Sequence, residues 1–368
     1  MGKNIVLCCD GTNNEFGDAN TNVVKLYGAL VHDTPAQLTY YHAGLGSQGS
    51  PYALTPFARF WTKVFGLGFG FGISQHLQDL YQYLMANYEP GDKLFVFGFS
   101  RGAYTARALC SMLHVFGLIR NQNAALVPYA IGLLKKYGNG NNKEIAAQFR
   151  QTFSAYSPKP HYVGIWDTVT SVGGLRNPLQ VPFSRWNPDV QTGRHAIAID
   201  ERRAFYRQNL WSPSKDQDLQ QVWFAGVHCD VGGGYPEASS GLSKITLDWM
   251  MSEACKAGLL LKPAQVKRVL GEPGSGNAPP NESAELHNSM KKWWWAEIIP
   301  RRYYNWTTQS RDWKIPLAKR RWISKGDSIH ESVFARREKV AEYKPQNIVS
   351  DRSDYTVVQT KWPVGGGQ

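Results

Sequence analysis

Residues 94–103 read Leu-Phe-Val-Phe-Gly-Phe-Ser-Arg-Gly-Ala, and no other run constrains the fold as tightly. Leu94–Phe97 is a short apolar stretch of the kind a buried strand needs. Gly98-Phe99-Ser100-Arg101-Gly102 follows at once and fits G-x-S-x-G, the one match in the chain. From Ala103 the residues take up a helical pattern. Strand, sharp turn and helix in that order form a nucleophile elbow, which lifts a serine Oγ above a sheet. The flanking glycines remove Cβ atoms that would clash in so tight a turn. The bland alternative is a glycine turn that merely packs a helix on a strand.

Strand and helix signals alternate along most of the chain. Ile5–Cys9, Leu38–His42, Leu94–Phe97, Tyr162–Trp166 and Gln221–Val227 read as strands. Residues 22–31, 74–88, 101–119, 124–137, 143–156 and 243–256 read as helices. This order predicts a mostly parallel sheet with helices on both faces, and with the elbow the expected fold is that of an α/β-hydrolase. With 42% hydrophobic residues in 368, the chain can bury a sizeable core. A Gly/Pro/Asn-rich stretch, 271–280, interrupts it. Residues 1–270 read as the hydrolase core. Residues 281–368, where the alternation fades, read as a Trp-rich, basic C-terminal elaboration packed on that core, a lid or insertion.

A serine nucleophile needs a base, and the base needs an orienting carboxylate. On this fold the chain order is Ser, then Asp or Glu, then His. Asp167 ends the strand 162–166 and His228 ends what reads as the last core strand, before Val231-Gly-Gly-Gly-Tyr235. Ser100, Asp167 and His228 are therefore the expected catalytic residues. Asp230 is the rival acid and His330 the second choice of base, whereas His195 lies in a helical-looking run. The oxyanion donors are expected from the backbone N–H of Arg101 and from the Asp10-Gly11-Thr12 loop, through Gly11 or Thr12. The loop at Gly44–Gly46 competes for that role. This chemistry requires no metal and no cofactor. Asp10, Asp167 and Asp230 all follow strands and could gather near the site; loss of activity in a chelator, restored by Mg²⁺ or Ca²⁺, would overturn the metal-free mechanism and revive phosphoryl transfer. A haloacid-dehalogenase reading of Asp10-Gly11-Thr12 fails because Cys8 stands where an aspartate is needed. A dinucleotide loop at Gly66–Gly70 fails for want of a preceding strand.

The formal net charge is +12. Ten basic residues fall between 285 and 325, among them Lys291, Lys292, Arg301 and Arg302, interleaved with Trp293, Trp294, Trp295, Trp306, Trp313 and Trp322. Cations with interfacial aromatics suit an anionic membrane surface. Ordinary packing beneath a solvated face is the alternative, and no nucleic acid partner is expected. The five cysteines are odd in number and mostly sit in apolar runs, as reduced core residues do. No secretory leader or transmembrane stretch is evident, so synthesis in the cytoplasm is expected, with any export by a signal-less secretion system.

Together, Asp10-Gly-Thr12 with Asn14, Gly98-Phe-Ser-Arg-Gly-Ala-Tyr-Thr-Ala-Arg107, Trp166-Asp-Thr-Val169, His195–Arg203 and Gly226-Val-His-Cys-Asp-Val-Gly-Gly-Gly-Tyr235 resemble the α/β-hydrolase domain family of bacteria and fungi that includes type VI secretion phospholipase effectors, the Tle-type lipases. The resemblance spans about residues 4–348. It implies a Ser–Asp–His triad at Ser100, Asp167 and His228. It also implies lipid or phospholipid acyl esters as substrates and, for a secreted effector, a delivery or immunity protein as partner. Asn13 replaces the aromatic usual after the Asp-Gly-Thr motif. The function expected is a serine hydrolase of carboxylic esters acting through an acyl-enzyme on Ser100. The alternatives are a short-chain or soluble esterase or thioesterase of the same fold, or a non-enzymatic membrane-surface module.

Overall fold

In the computed structural model the apolar run at Leu94 becomes one strand of an eight-stranded sheet. The structure describes residues 2–11, 17–44, 69–169, 173–174, 177–178, 181–212, 217–305, 310–348 and 351–363. The sheet strands are β1 (Asn4–Cys9), β2 (Gln37–His42), β3 (Lys93–Phe99), β4 (Pro160–Trp166), β5 (Thr192–Ala198), β6 (Asp218–Phe224), β7 (Ser328–His330) and β8 (Thr356–Val358). They lie in the order β8-β7-β6-β5-β4-β3-β1-β2, and every pairing is parallel. The fold is thus the α/β-hydrolase type expected, with all strands aimed at one carboxyl edge.

Strand alternation divides the core in two. Ile5, Leu7, Leu94 and Val96 face one side, packing with α2 (Phe69–Asn87), α3 (Arg101–Phe116), α4 (Val127–Lys135) and α5 (Asn142–Phe153). Val6, Cys8, Phe95 and Phe97 face the other, against α1 (Asn22–Ala29) and α7 (Gly241–Lys256). Between β6 and α7 lies the short α6 (His228–Gly232). Strands buried on both faces have no polar side to show, which is why β3 reads as an unbroken apolar run. Each such aromatic removed from water contributes about 1.5–3 kcal/mol.

Two departures from the sequence reading concern strands. Residues 192–198 are β5 and not helical; His195 sits in mid-strand with no exposure. The polar Arg194 and His195 hide a strand whose neighbours pair on both sides. The alternation also does not fade at the C-terminus. β7, α8 (Glu331–Lys339) and β8 continue it, so β6 is not the last core strand. These strands are three residues each, too short to produce a periodic signal. Ile197, Trp223, Ile329 and Phe334 form a third apolar cluster there. Among the described residues, no helix is long and apolar enough to cross a membrane.

Candidate active site

Ser100 joins β3 to α3 with φ 59° and ψ −117°, a left-handed conformation for a residue that bears a Cβ. Its N–H donates to the Trp166 carbonyl at 3.0 Å, which locks the turn onto β4. The glycines are required by contact. A Cβ on Gly98 would meet the Gly102 carbonyl at 2.6 Å, and one on Gly102 would meet the Cys9 carbonyl at 2.1 Å. Strain of this kind, of order 1–3 kcal/mol, persists only where surrounding structure enforces it.

Asp167 follows β4 and also carries a positive φ, 35°. It is fully buried. Its Oδ2 accepts from His228 Nδ1 at 2.6 Å, and its Oδ1 accepts from the Ala198 N–H at 3.0 Å. The His228 ring stacks obliquely on Phe99, the residue before Ser100, with centroids 4.6 Å apart. The elbow, the acid and the imidazole therefore meet at one end of the sheet.

Behind this group stand residues to which the motifs had assigned no role. Arg321 donates to both Asp167 oxygens and to the Ala198 and Tyr206 carbonyls. Glu201 accepts from the His228 N–H at 3.2 Å and pairs with Arg203, whose guanidinium lies 3.7 Å over the Tyr206 ring. Tyr206 in turn meets the His228 ring edge-on at 4.6 Å. Arg203 lies within the conspicuous run 195–203. Arg321 stands 154 positions from Asp167, beyond the reach of any local pattern.

Electrostatics favour a neutral imidazole beside an ionised carboxylate. Burial lowers the His228 imidazole, and Asp167 only partly opposes this. Burial by itself would raise the Asp167 carboxyl, but the Arg321 charge and the His228 hydrogen bond outweigh it and hold it below the usual range. The remaining candidates are engaged elsewhere. Asp230 accepts from His287 Nδ1 at 2.6 Å and caps the Val227 N–H at 3.0 Å. His330 contacts Ser332 and Thr360 and stacks on Phe224. Asp10 accepts from the Gly11 N–H at 2.6 Å, Thr21 at 2.7 Å and Tyr41 at 2.9 Å. Gly11 thus has its N–H occupied. Thr12, Leu45 and Gly46 lie outside the described residues, as do the side chains of Lys291, Lys292, Arg301 and Arg302. Arg101 opens α3, where first-turn N–H groups have no acceptor within the helix. Trp293 packs edge-on against Tyr206 at 6.1 Å, while Trp294 is 53% exposed.

A parallel sheet with a strained serine elbow after β3 and a His–Asp pair drawn from beyond β6 and β4 defines an α/β-hydrolase fold. Within that class, the chain belongs to the T6SS phospholipase effector Tle1-like catalytic domain family, whose profile matches residues 3–253. It is 36% identical over 226 residues to YEL023C, an uncharacterized protein of Saccharomyces cerevisiae, covering 58% of this chain and 33% of that one. A crystal structure of an uncharacterized Pseudomonas aeruginosa protein aligns at 19% identity and TM-score 0.42, over 72% of this chain and 47% of that one. A Tle1 effector bound to the VgrG spike of the type 6 secretion system aligns at 18% identity and TM-score 0.38, over 66% and 53%. The chain spans about a third of the yeast relative and about half of each of these structures.

Proposed function

We propose that this chain hydrolyses acyl esters of phospholipids through an acyl-enzyme on Ser100. One observation carries the reading: the 2.6 Å bond between His228 Nδ1 and Asp167, with the imidazole packed on Phe99, the residue before a serine held at positive φ. In this reading His228 Nε2 takes the Ser100 proton as Oγ attacks the ester carbonyl. Asp167 holds the tautomer and stabilises the imidazolium. The Arg101 N–H is one oxyanion donor. Because Gly11 is engaged by Asp10, Thr12 is the remaining donor of that loop. Collapse of the tetrahedral intermediate expels the alcohol, which takes the proton from His228, and water then releases the acid by the same steps. Family membership supports the phospholipid class and a delivery partner. Trp293, one residue removed from His228 through Tyr206, supports a Trp-rich border to the site.

The test is labelling by a fluorophosphonate, followed by a panel of short esters, triglycerides and phospholipids. Ser100→Ala should abolish labelling and lower kcat by roughly 10⁴–10⁶. Turnover of short esters alone would favour the soluble-esterase alternative. Absence of both labelling and turnover would leave a non-enzymatic membrane module.

A further inference from the structure

Next to the triad lies a concave site with a different chemistry. Residues 201–208, just beyond β5, and residues 316–322 enclose a cleft of about 330 Å³ that none of the triad residues lines. Arg202, Arg207, Lys319, Arg320 and Arg321 contribute to its wall. Its single carboxylate, Glu201, is already paired with Arg203, and Arg321 is held by Asp167. Arg202, Lys319 and Arg320 form no ion pair among the described residues. Like charges gathered around a concavity repel one another, and an anion seated between them relieves that repulsion. Guanidinium groups match phosphate oxygens in pairs, and an ammonium adds a mobile point charge.

The rim points to the source of the anion. Trp322 is 78% exposed and Leu317 60%, with Ile315 and Trp313 exposed on the same stretch. Lys314, Lys319 and Arg320 alternate with them. Large apolar side chains left in water beside a cationic pocket fit the boundary between lipid headgroups and acyl chains.

We propose that this cleft binds the phosphate of a membrane phospholipid headgroup, as a docking site distinct from the position of the scissile ester. The site anchors the carboxyl edge of the sheet to the bilayer, with Trp322 and Leu317 entering the interface. It does not depend on turnover, so it can be tested apart from the hydrolase reading.

The experiment uses the full chain carrying Ser100→Ala, so that vesicles stay intact. Flotation is measured with vesicles of digalactosyldiacylglycerol, a neutral lipid without phosphate, doped either with phosphatidylglycerol or with oleate, a phosphate-free anion, at matched surface charge. Phosphatidylglycerol should bind at least about tenfold better than oleate. Lys319→Gln/Arg320→Gln should weaken binding to it by about thirtyfold. The charge-matched Lys267→Gln/Arg268→Gln, on the helix Pro263–Val269, should weaken it by less than about threefold, since screening limits distant charges. Equal losses in both doubles, or equal binding to both anions, would reduce the cleft to a general basic field and overturn the proposal. Titration with glycerol 3-phosphate completes the set. If Lys319→Gln/Arg320→Gln abolished its binding while vesicle binding stayed intact, the occupant would be a soluble phosphate, and the lipid assignment would fall.

Discussion

The Arg321 guanidinium closes on the Asp167 carboxylate with two hydrogen bonds, Nη1 to Oδ1 at 2.5 Å and Nη2 to Oδ2 at 3.0 Å. The same Oδ2 accepts from His228 Nδ1 at 2.6 Å. The acid of the proposed triad thus shares its charge between an imidazole and a permanent cation, both buried. That arrangement keeps Asp167 ionised and, by drawing off part of its field, helps to keep His228 neutral.

Arg321→Met should therefore act on the pH profile as well as on folding. Removing one partner of a buried ion pair costs about 3–5 kcal/mol. The unshared carboxylate would also hold a proton on His228 more tightly, moving the acid limb of kcat/KM to higher pH. Arg321→Lys keeps the charge without the fork and should give an intermediate limb. If the variants lose stability while the limb stays in place, Arg321 serves packing alone.

The two carboxylates near His228 should separate cleanly in kinetics. Asp167→Asn is expected to lower kcat by about 10⁴ through the wrong imidazole tautomer. Asp230→Asn leaves the Asp167–His228 bond in place and should cost less than about tenfold, because Asp230 serves the Val227 cap and His287. Comparable losses in the two variants, measured at equal folded fraction, would reassign the acid.

Buried histidines set the acid stability. Burial pushes His195 down to about 3 and His76 and His330 to about 4, and it also lowers His228. Each folded value lies below the unfolded value of about 6.5. The unfolded chain therefore takes up more protons as pH drops, so this stability is complete above pH ~6.5 and is lost from there towards pH ~4. The buried Asp200, Asp230 and Asp248 carboxyls are raised by burial and act in the opposite sense, but only Asp200 moves far, to about 6. Thermal melts should show Tm falling between about pH 6.5 and 4.5, an interval that lies within this window. A flat Tm over that interval would contradict the burial argument. The same lowered His228 places the acid limb of hydrolysis below pH ~6.5.

Gly102→Ala tests the elbow without removing a polar group. Its Cβ would lie 2.1 Å from the Cys9 carbonyl, and backbone atoms have little room to yield. Overpacking of this sort costs about 1–3 kcal/mol. It should also reduce fluorophosphonate labelling of the remaining folded protein. Normal labelling with unchanged Tm would show that the β1 loop and α3 can separate at no cost.

Local chemistry alone determined the elbow. A run of apolar residues, two glycines and a serine admit few backbone paths, so β3, the turn and α3 were legible in the sequence, as was Asp167 at a strand end; His228 lies four residues beyond β6, where it opens α6. The same logic carried the parallel sheet, because alternating strand and helix signals leave little other architecture. The remainder rests on long-range pairing. β5 was obscured because Arg194 and His195 interrupt its apolar pattern, and its burial comes from β4 and β6 on either side. β7 and β8 are too short to show a period and exist as strands only through the sheet edge they extend. Arg321 on Asp167 and Glu201 under His228 join segments far apart in the chain. Such contacts depend on where the folded backbone delivers each side chain, and no spacing rule within a single stretch of sequence records that.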